Sequence, residues 1–282
     1  MPIIDFRVRP PAKGFLKTIM YADAGRRDAA ARRLGMDVSP SAEERSMQKL
    51  FEEMDAADVA MGVVPGRVSD FFGSVTNEEI LELVTESAGR FIGLASIDPT
   101  DRRKAIRQID EAMSEGLKGV NIEPGAYPVP MHTDDRRLYP IYAHCEDRDY
   151  PVVIMAGGNA GPDISYTEPS HLDRVLADFP TLKVVVSHGG WPWVHEILHM
   201  AFRRPNLYVS PDMYLHGMPG MDDYLKAADG FLSDRFLYAS GYPFVPVKEY
   251  AEWFLTLPIR AENMEKVLWR NAANLLGVDV QE

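Results

Sequence analysis

A chain of 282 residues, 46% hydrophobic and 26% charged, is long enough for one large α/β domain. A formal net charge of −12 argues against nucleic acid, which needs a dominant basic field, but leaves room for a small anion gripped by local arginines. Cys145 is the only cysteine, which excludes an intrachain disulfide and suits a reducing cytosol. No apolar run approaches the ~18–20 residues of a membrane span and no signal segment opens the chain, so a cytoplasmic protein is expected.

In chain order, eight short apolar, β-branched or aromatic runs recur: Ile3–Val8, Val59–Val64, Phe91–Ser96, Gly119–Ile122, Val152–Met155, Lys183–Ser187, Leu207–Ser210 and Phe236–Ala239. Such runs read as parallel strands buried on both faces. Segments of helical periodicity separate them, as in the stripe Leu172, Val175, Leu176 and Phe179. Thr76-Asn77-Glu78-Glu79 predicts a capping box, with Val75 and Ile80 as its hydrophobic staple. Closing helices are expected over Val247–Leu257 and Ala261–Leu276. Eightfold strand–helix alternation predicts one distorted (β/α)₈ barrel domain spanning residues 1–282. An open doubly wound sheet is the alternative, although no glycine-rich phosphate fingerprint follows the first strand.

Three segments after strands are longer than a connection requires. Pro10 to Ser41 is rich in Arg and Ala and suggests a helix over Asp23–Leu34; Gly157 to Pro162 follows the fifth run; Pro211 to Met221 carries Met213, Tyr214 and Met218. In a barrel all three lie on the catalytic face.

Several strings resemble the amidohydrolase-related family, in the branch of aminocarboxymuconate-semialdehyde decarboxylase, aromatic-acid decarboxylases and pyrone-dicarboxylate lactonases. They include residues 51–59 (FEEMDAADV), 89–99 (GRFIGLASIDP), 138–142 (LYPIY), 179–190 (FPTLKVVVSHGG) and 271–277 (NAANLLG). The resemblance implies a metallo-dependent-hydrolase barrel, and its metal motifs are mostly altered in this chain. The strand-one histidines fall on Arg7 and Arg9, the strand-five histidine on Met155 and the strand-eight aspartate on Gly241; only the strand-six histidine survives, as His188. Two guanidiniums repel a divalent ion and one imidazole holds it poorly, so no metal and no other cofactor are expected. A rebuilt site from Glu123, Asp212, His188 and His216 is the lesser alternative. His195 and His199, four apart, read as surface or interhelical residues.

Arg7 and Arg9 lie two apart on a strand and share a face. Inside a barrel they would grip a substrate carboxylate, or form an ion-pair network with Glu123 and Asp212. Glu123, His188 and Asp212, each at a strand end, are the candidate catalytic residues: general base or salt-bridge partner, proton exchanger, and water activator or orienter of His188. Asn121, Met155, Trp191 and Ser240 join Arg7 and Arg9 as candidate substrate contacts. The expected activity is metal-independent hydrolysis of a small carboxylated ring, lactone or enol, with decarboxylation or isomerisation next. A barrel that only binds an anionic metabolite or a partner chain is the contrasting reading. A homodimer is the default oligomer.

Overall fold

The computed structural model describes residues 1–280. Seven parallel strands pair in strict sequence order: β1 (Ile3–Asp5), β2 (Val59–Pro65), β3 (Phe91–Ser96), β4 (Val120–Ile122), β5 (Val152–Met155), β6 (Val184–Ser187) and β7 (Leu207–Ser210). Sequential parallel pairing with a crossover between neighbours is the topology of a (β/α)₈ barrel. The sheet curls round, and the segment after Arg235 closes it. Leu237 N donates to Val209 O at 3.0 Å on one side, and Phe6 N donates to Tyr238 O at 2.9 Å on the other. Isolated bridges Val209–Phe236 and Val8–Tyr242 mark the same closure.

Two expectations need correction here. The eighth run makes bridges rather than a regular strand, because its backbone hydrogen bonds are divided among three elements; Tyr238 N donates to Val267 O while Tyr238 O accepts from Phe6 N. The first strand ends at Asp5 instead of Val8. The Asp5 carboxylate accepts from Arg7 N at 3.1 Å and Ser240 N at 2.9 Å, taking both amides out of the ladder. Beyond that break Val8 packs into the outer core, while Phe6 lies with the inner cluster.

Alternation along the strands makes two cores. Ile4, Val63, Ile92, Leu94, Val153, Val185 and Leu237 fill the lumen, and Ala272, Leu275 and Leu276 plug its lower end. Their neighbours Val64, Val120, Ile122, Val152, Ile154, Val184, Val186 and Val209 face outward against the helices. Those helices include α1 (Ala24–Arg33), α2 (Met47–Ala56), α3 (Asn77–Glu86), α4 (Arg102–Ser114), α5 (Tyr139–Asp147), α6 (Pro169–Asp178), α7 (Val194–Arg203), α8 (Met221–Ala228) and α9 (Val247–Phe254). The capping box at α3 forms as predicted, with Glu79 N to Thr76 Oγ1 at 3.2 Å and Thr76 N to Glu79 Oε2 at 3.0 Å. Helix α1 fulfils the expectation over Asp23–Leu34: Asp23 caps it by accepting from Arg26 N at 3.0 Å. The terminal helix runs through 261–276 with a π turn at Lys266–Arg270. Among the described residues, no helix is long and apolar enough to cross a membrane.

Candidate active site

Because the lumen is packed with aliphatic side chains, the strand ends carry the polar groups, and they meet in two buried clusters. The first is ionic. Glu123, one residue past β4, accepts from Arg7 Nη2 at 3.0 Å and is clamped by Arg67, with Nε to Oε2 at 2.6 Å and Nη2 to Oε1 at 3.0 Å. Asn121 Nδ2 donates to Glu123 Oε1 at 3.2 Å and to Gly66 O at 2.9 Å. Burial alone would push the Glu123 carboxyl up; the Arg67 and Arg7 guanidiniums overcome it and hold the carboxyl down at about 2. A carboxylate so engaged is a fixed counter-ion, which argues against Glu123 as a general base.

Arg9 is the exception in this cluster. Its Nη1 reaches the carbonyls of Gly241 at 3.2 Å and Tyr242 at 3.3 Å, its guanidinium lies 5.8 Å from the Phe244 ring centre, and it meets no carboxylate among the described residues. Its Nε has no partner among the described residues, nor does that of Arg7, although both side chains are only 2% exposed. Burial, with Arg7 and Arg67 nearby, holds the Arg9 guanidinium well below the usual arginine range. Among the described residues, Arg7 and Arg67 thus share one carboxylate while the buried Arg9 beside them binds none, an arrangement that invites an anion.

The second cluster is a dyad. His188 Nδ1 and Asp212 Oδ2 lie 2.6 Å apart. Facing a carboxylate, Nδ1 carries the proton, which leaves Nε2 as the acceptor nitrogen. Burial lowers the imidazole's pKa against the opposing pull of Asp212, so the neutral ring is favoured. Both residues adopt left-handed backbone conformations, His188 at φ 59° and Asp212 at φ 47°. That geometry is uncommon for residues with a Cβ and turns each side chain off its strand end. Tyr250 Oη fixes the Asp212 carbonyl at 2.6 Å, and Tyr224 Oη fixes the Gly189 carbonyl at 2.8 Å.

Above the strand ends opens a cavity of about 460 Å³. Of the residues expected at the site, Arg9, Met155, His188 and Trp191 line it, whereas Arg7, Asn121, Glu123 and Asp212 stand behind the wall. Ser240 does not reach it. Its hydroxyl lies 2.5 Å from Asp5 Oδ2 and accepts from Tyr242 N at 3.0 Å, so it serves the barrel closure and not a ligand. Burial pushes the Asp5 carboxyl up to about 6, against the hydrogen bonds from Ser240 and Arg7.

His216 also lies apart from Glu123 and the dyad, with Nδ1 2.8 Å from Leu34 O and its ring 4.5 Å from that of Trp253. No group of three or more His, Cys, Asp or Glu that could hold a metal ion exists among the described residues, so the rebuilt metal set does not assemble. The strand-end groups that line the cavity (two guanidiniums, a thioether and one imidazole already tied to Asp212) do not fit a divalent ion, and the Glu123 carboxylate behind them is held by Arg7 and Arg67. His195 is a surface residue, 3.0 Å from Asp223.

Sequence reasoning missed Arg67, Asp5 and the arginines of α1. Arg67 sits two residues beyond β2, a barrel-mouth position like that of Glu123 after β4, and that placement was the available signal. Asp5 is a lone carboxylate inside the run Ile3-Ile4-Asp5-Phe6. The cavity wall carries five arginines, Arg9, Arg26, Arg27, Arg33 and Arg67, and no aspartate or glutamate among the described residues. Trp191 and Tyr214 stack beside His188 with ring centres 5.3 Å apart, providing a flat apolar side.

Comparison with known proteins places this architecture. Residues 4–278 match the family described as Amidohydrolase. The crystal structure of an uncharacterized TIM-barrel protein from Bordetella bronchiseptica is 53% identical, covers 98% of this chain and 99% of its own, and superposes with a TM-score of 0.96. A gamma-resorcylate decarboxylase from Polaromonas sp. is 22% identical over 245 residues, 72% of this chain and 75% of the relative. A dihydroxybenzoic acid decarboxylase from Polaromonas sp. JS666, solved with manganese and the inhibitor 2-nitroresorcinol, shares the fold with a TM-score of 0.72 at 16% identity, covering 98% of this chain and 97% of that one.

Proposed function

The chain belongs to the amidohydrolase family, and on that premise we propose that it is a metal-independent enzyme acting on a small carboxylated ring, with hydrolysis of a ring ester as its reaction. The observation that carries this reading is a neutral His188, held by Asp212, on the wall of a cavity with five arginines and no carboxylate among the described residues. Arg9 and Arg67 hold the substrate anion against the Trp191–Tyr214 side. His188 Nε2 takes a proton from water as its oxygen bonds to the ester carbonyl carbon, and Asp212 steadies the imidazolium that forms. Charge developing on the carbonyl oxygen falls near the Arg9 guanidinium on the cavity wall. When the ring C–O bond breaks, the proton passes from His188 to the departing oxygen. Arg7, Glu123 and Asn121 act through Arg67 as positioning residues.

Decarboxylation is the second reading, favoured by relatives that are decarboxylases. It asks His188 to deliver a proton to a ring carbon, for which its lowered pKa is less suited. The test is turnover by protein purified in chelator, offered lactones bearing a ring carboxylate and unsaturated or aromatic carboxylic acids. Hydrolysis should proceed without added metal and disappear in His188→Asn, which keeps its ligand affinity. Activity that returns only with added manganese or zinc refutes metal independence. Release of CO₂ selects the second reading, and saturable binding without turnover makes the barrel a binding protein.

A further inference from the structure

Three of the five cavity arginines, Arg26, Arg27 and Arg33, belong to the arginine-rich helix α1. Arg26, Arg27, Ala30, Arg33 and Leu34 all line the cavity, and these positions form a single face of the helix. Such a face is ordinarily the apolar one that a helix buries. Here it is turned over the site and carries three guanidiniums. Arg27 is already engaged, with Nε 2.8 Å from Asp28 Oδ1 and Nη1 2.9 Å from Ala42 O. Arg26 rests over Phe71, its Cζ 5.3 Å from the ring centre, and neither it nor Arg33 makes a salt bridge among the described residues. Seven residues apart, they stand two turns from each other, about 10 Å along the helix.

The cationic groups therefore fall in two tiers. Arg9 and Arg67 belong to the strand-end floor, beside His188; Arg26 and Arg33 belong to a roof supplied by the segment between β1 and β2. One carboxylate can occupy the floor. Arg26 and Arg33 have no salt-bridge partner of their own, and no acidic side chain lines the cavity, among the described residues. In a chain of net charge −12, such a concentration of positive charge on one cavity is local and directed.

We propose that the ligand carries two anionic groups at opposite ends, one seated on Arg9 and Arg67 and the other on Arg26 and Arg33, so that helix α1 sets specificity for a dianion over a monoanion. This deepens the proposed function, since it concerns the same cavity, but its test needs no turnover. Calorimetric titrations with benzoate, benzene-1,4-dicarboxylate and 4-carboxyphenyl phosphate compare one anionic group with two, and carboxylate with phosphate at the second position. The wild-type protein should bind the two-headed probes about tenfold or more tightly than benzoate, as a charge-assisted contact allows. In the double variant Arg26→Met/Arg33→Met that preference should vanish while benzoate affinity stays within twofold. Arg9→Met should weaken all three probes together. Both substituted roof positions are solvent-exposed, so the fold should persist, and an unchanged melting temperature verifies it. Equal affinity for one-headed and two-headed probes, no saturable binding of any of them, or an equal loss for all three in the roof variant overturns the proposal. Loss of hydrolysis with the dianion preference intact would instead sink only the catalytic reading.

Discussion

Replacing Glu123 by glutamine keeps the shape of the side chain and removes its charge, leaving Arg7 and Arg67 buried without their shared counter-ion. Glutamine also turns an NH₂ group toward guanidiniums that only donate. The magnitude follows from the carboxyl itself. Its position at about 2 in the fold, against an ordinary 4.5, corresponds to about 3 kcal/mol of stability at neutral pH. Breaking a buried pair by removing one partner costs about 3–5 kcal/mol, which agrees. Urea unfolding at pH 7 should therefore show Glu123→Gln less stable by about 3 kcal/mol, with an unchanged m-value. The pH dependence is the sharper check. A depressed pKa stabilises the fold above 4.5, and that contribution fades as pH falls toward 2, because the unfolded carboxyl takes up its proton first. The gap between wild type and variant should thus be constant above about pH 5 and close on acidification. A variant within 1 kcal/mol of wild type at pH 7, or a gap that stays open at the lowest pH where both still fold, refutes the assignment of Glu123 as an ionised anchor.

Asp5 predicts the opposite slope. With its carboxyl at about 6 in the fold and 3.8 ordinarily, the native state holds an extra proton between those values, so about 3 kcal/mol of stability is lost as pH rises from about 4 to 6. Asp5→Asn should flatten that part of the unfolding-versus-pH curve, and an unchanged slope contradicts the burial argument. At Gly157 an added Cβ would stand 2.7 Å from the Gly190 Cα and 2.9 Å from its N and C atoms. Backbone cannot rotate aside, so Gly157→Ala should cost about 1–3 kcal/mol and lower the melting temperature by several degrees; an unaltered melting curve would mean that the two turns can separate freely.

Seven strands were legible because residues buried on both faces leave unbroken apolar runs, and Val152–Met155 and Leu207–Ser210 have the bounds read from the sequence. The eighth was overread. Phe236–Ala239 has the same composition, but its hydrogen bonds go to β7, to the start of the chain and to Val267, a division that composition does not record. The pairing of Arg7 with Glu123 was foreseeable from strand-end positions, as was Asp212 beside His188. Arg67 had only its place two residues past β2 to mark it, and its partner emerges only when the barrel brings it across to Glu123, fifty-six positions on. Ser240 was misjudged for a related reason. Its neighbour across the closure is Asp5, and only the closed barrel reveals that its hydroxyl is already taken.

The left-handed backbone at His188 and Asp212 sets the proposed proton relay against the stability of the chain. Glycine would relax both turns at no steric cost, yet it would erase the imidazole and the carboxylate together. Easing those torsions with glycine would therefore remove the dyad on which the proposed function rests. The rigid collar around the two turns, with Tyr224 and Tyr250 each gripping a carbonyl, is what lets two uncomfortable residues persist in one place.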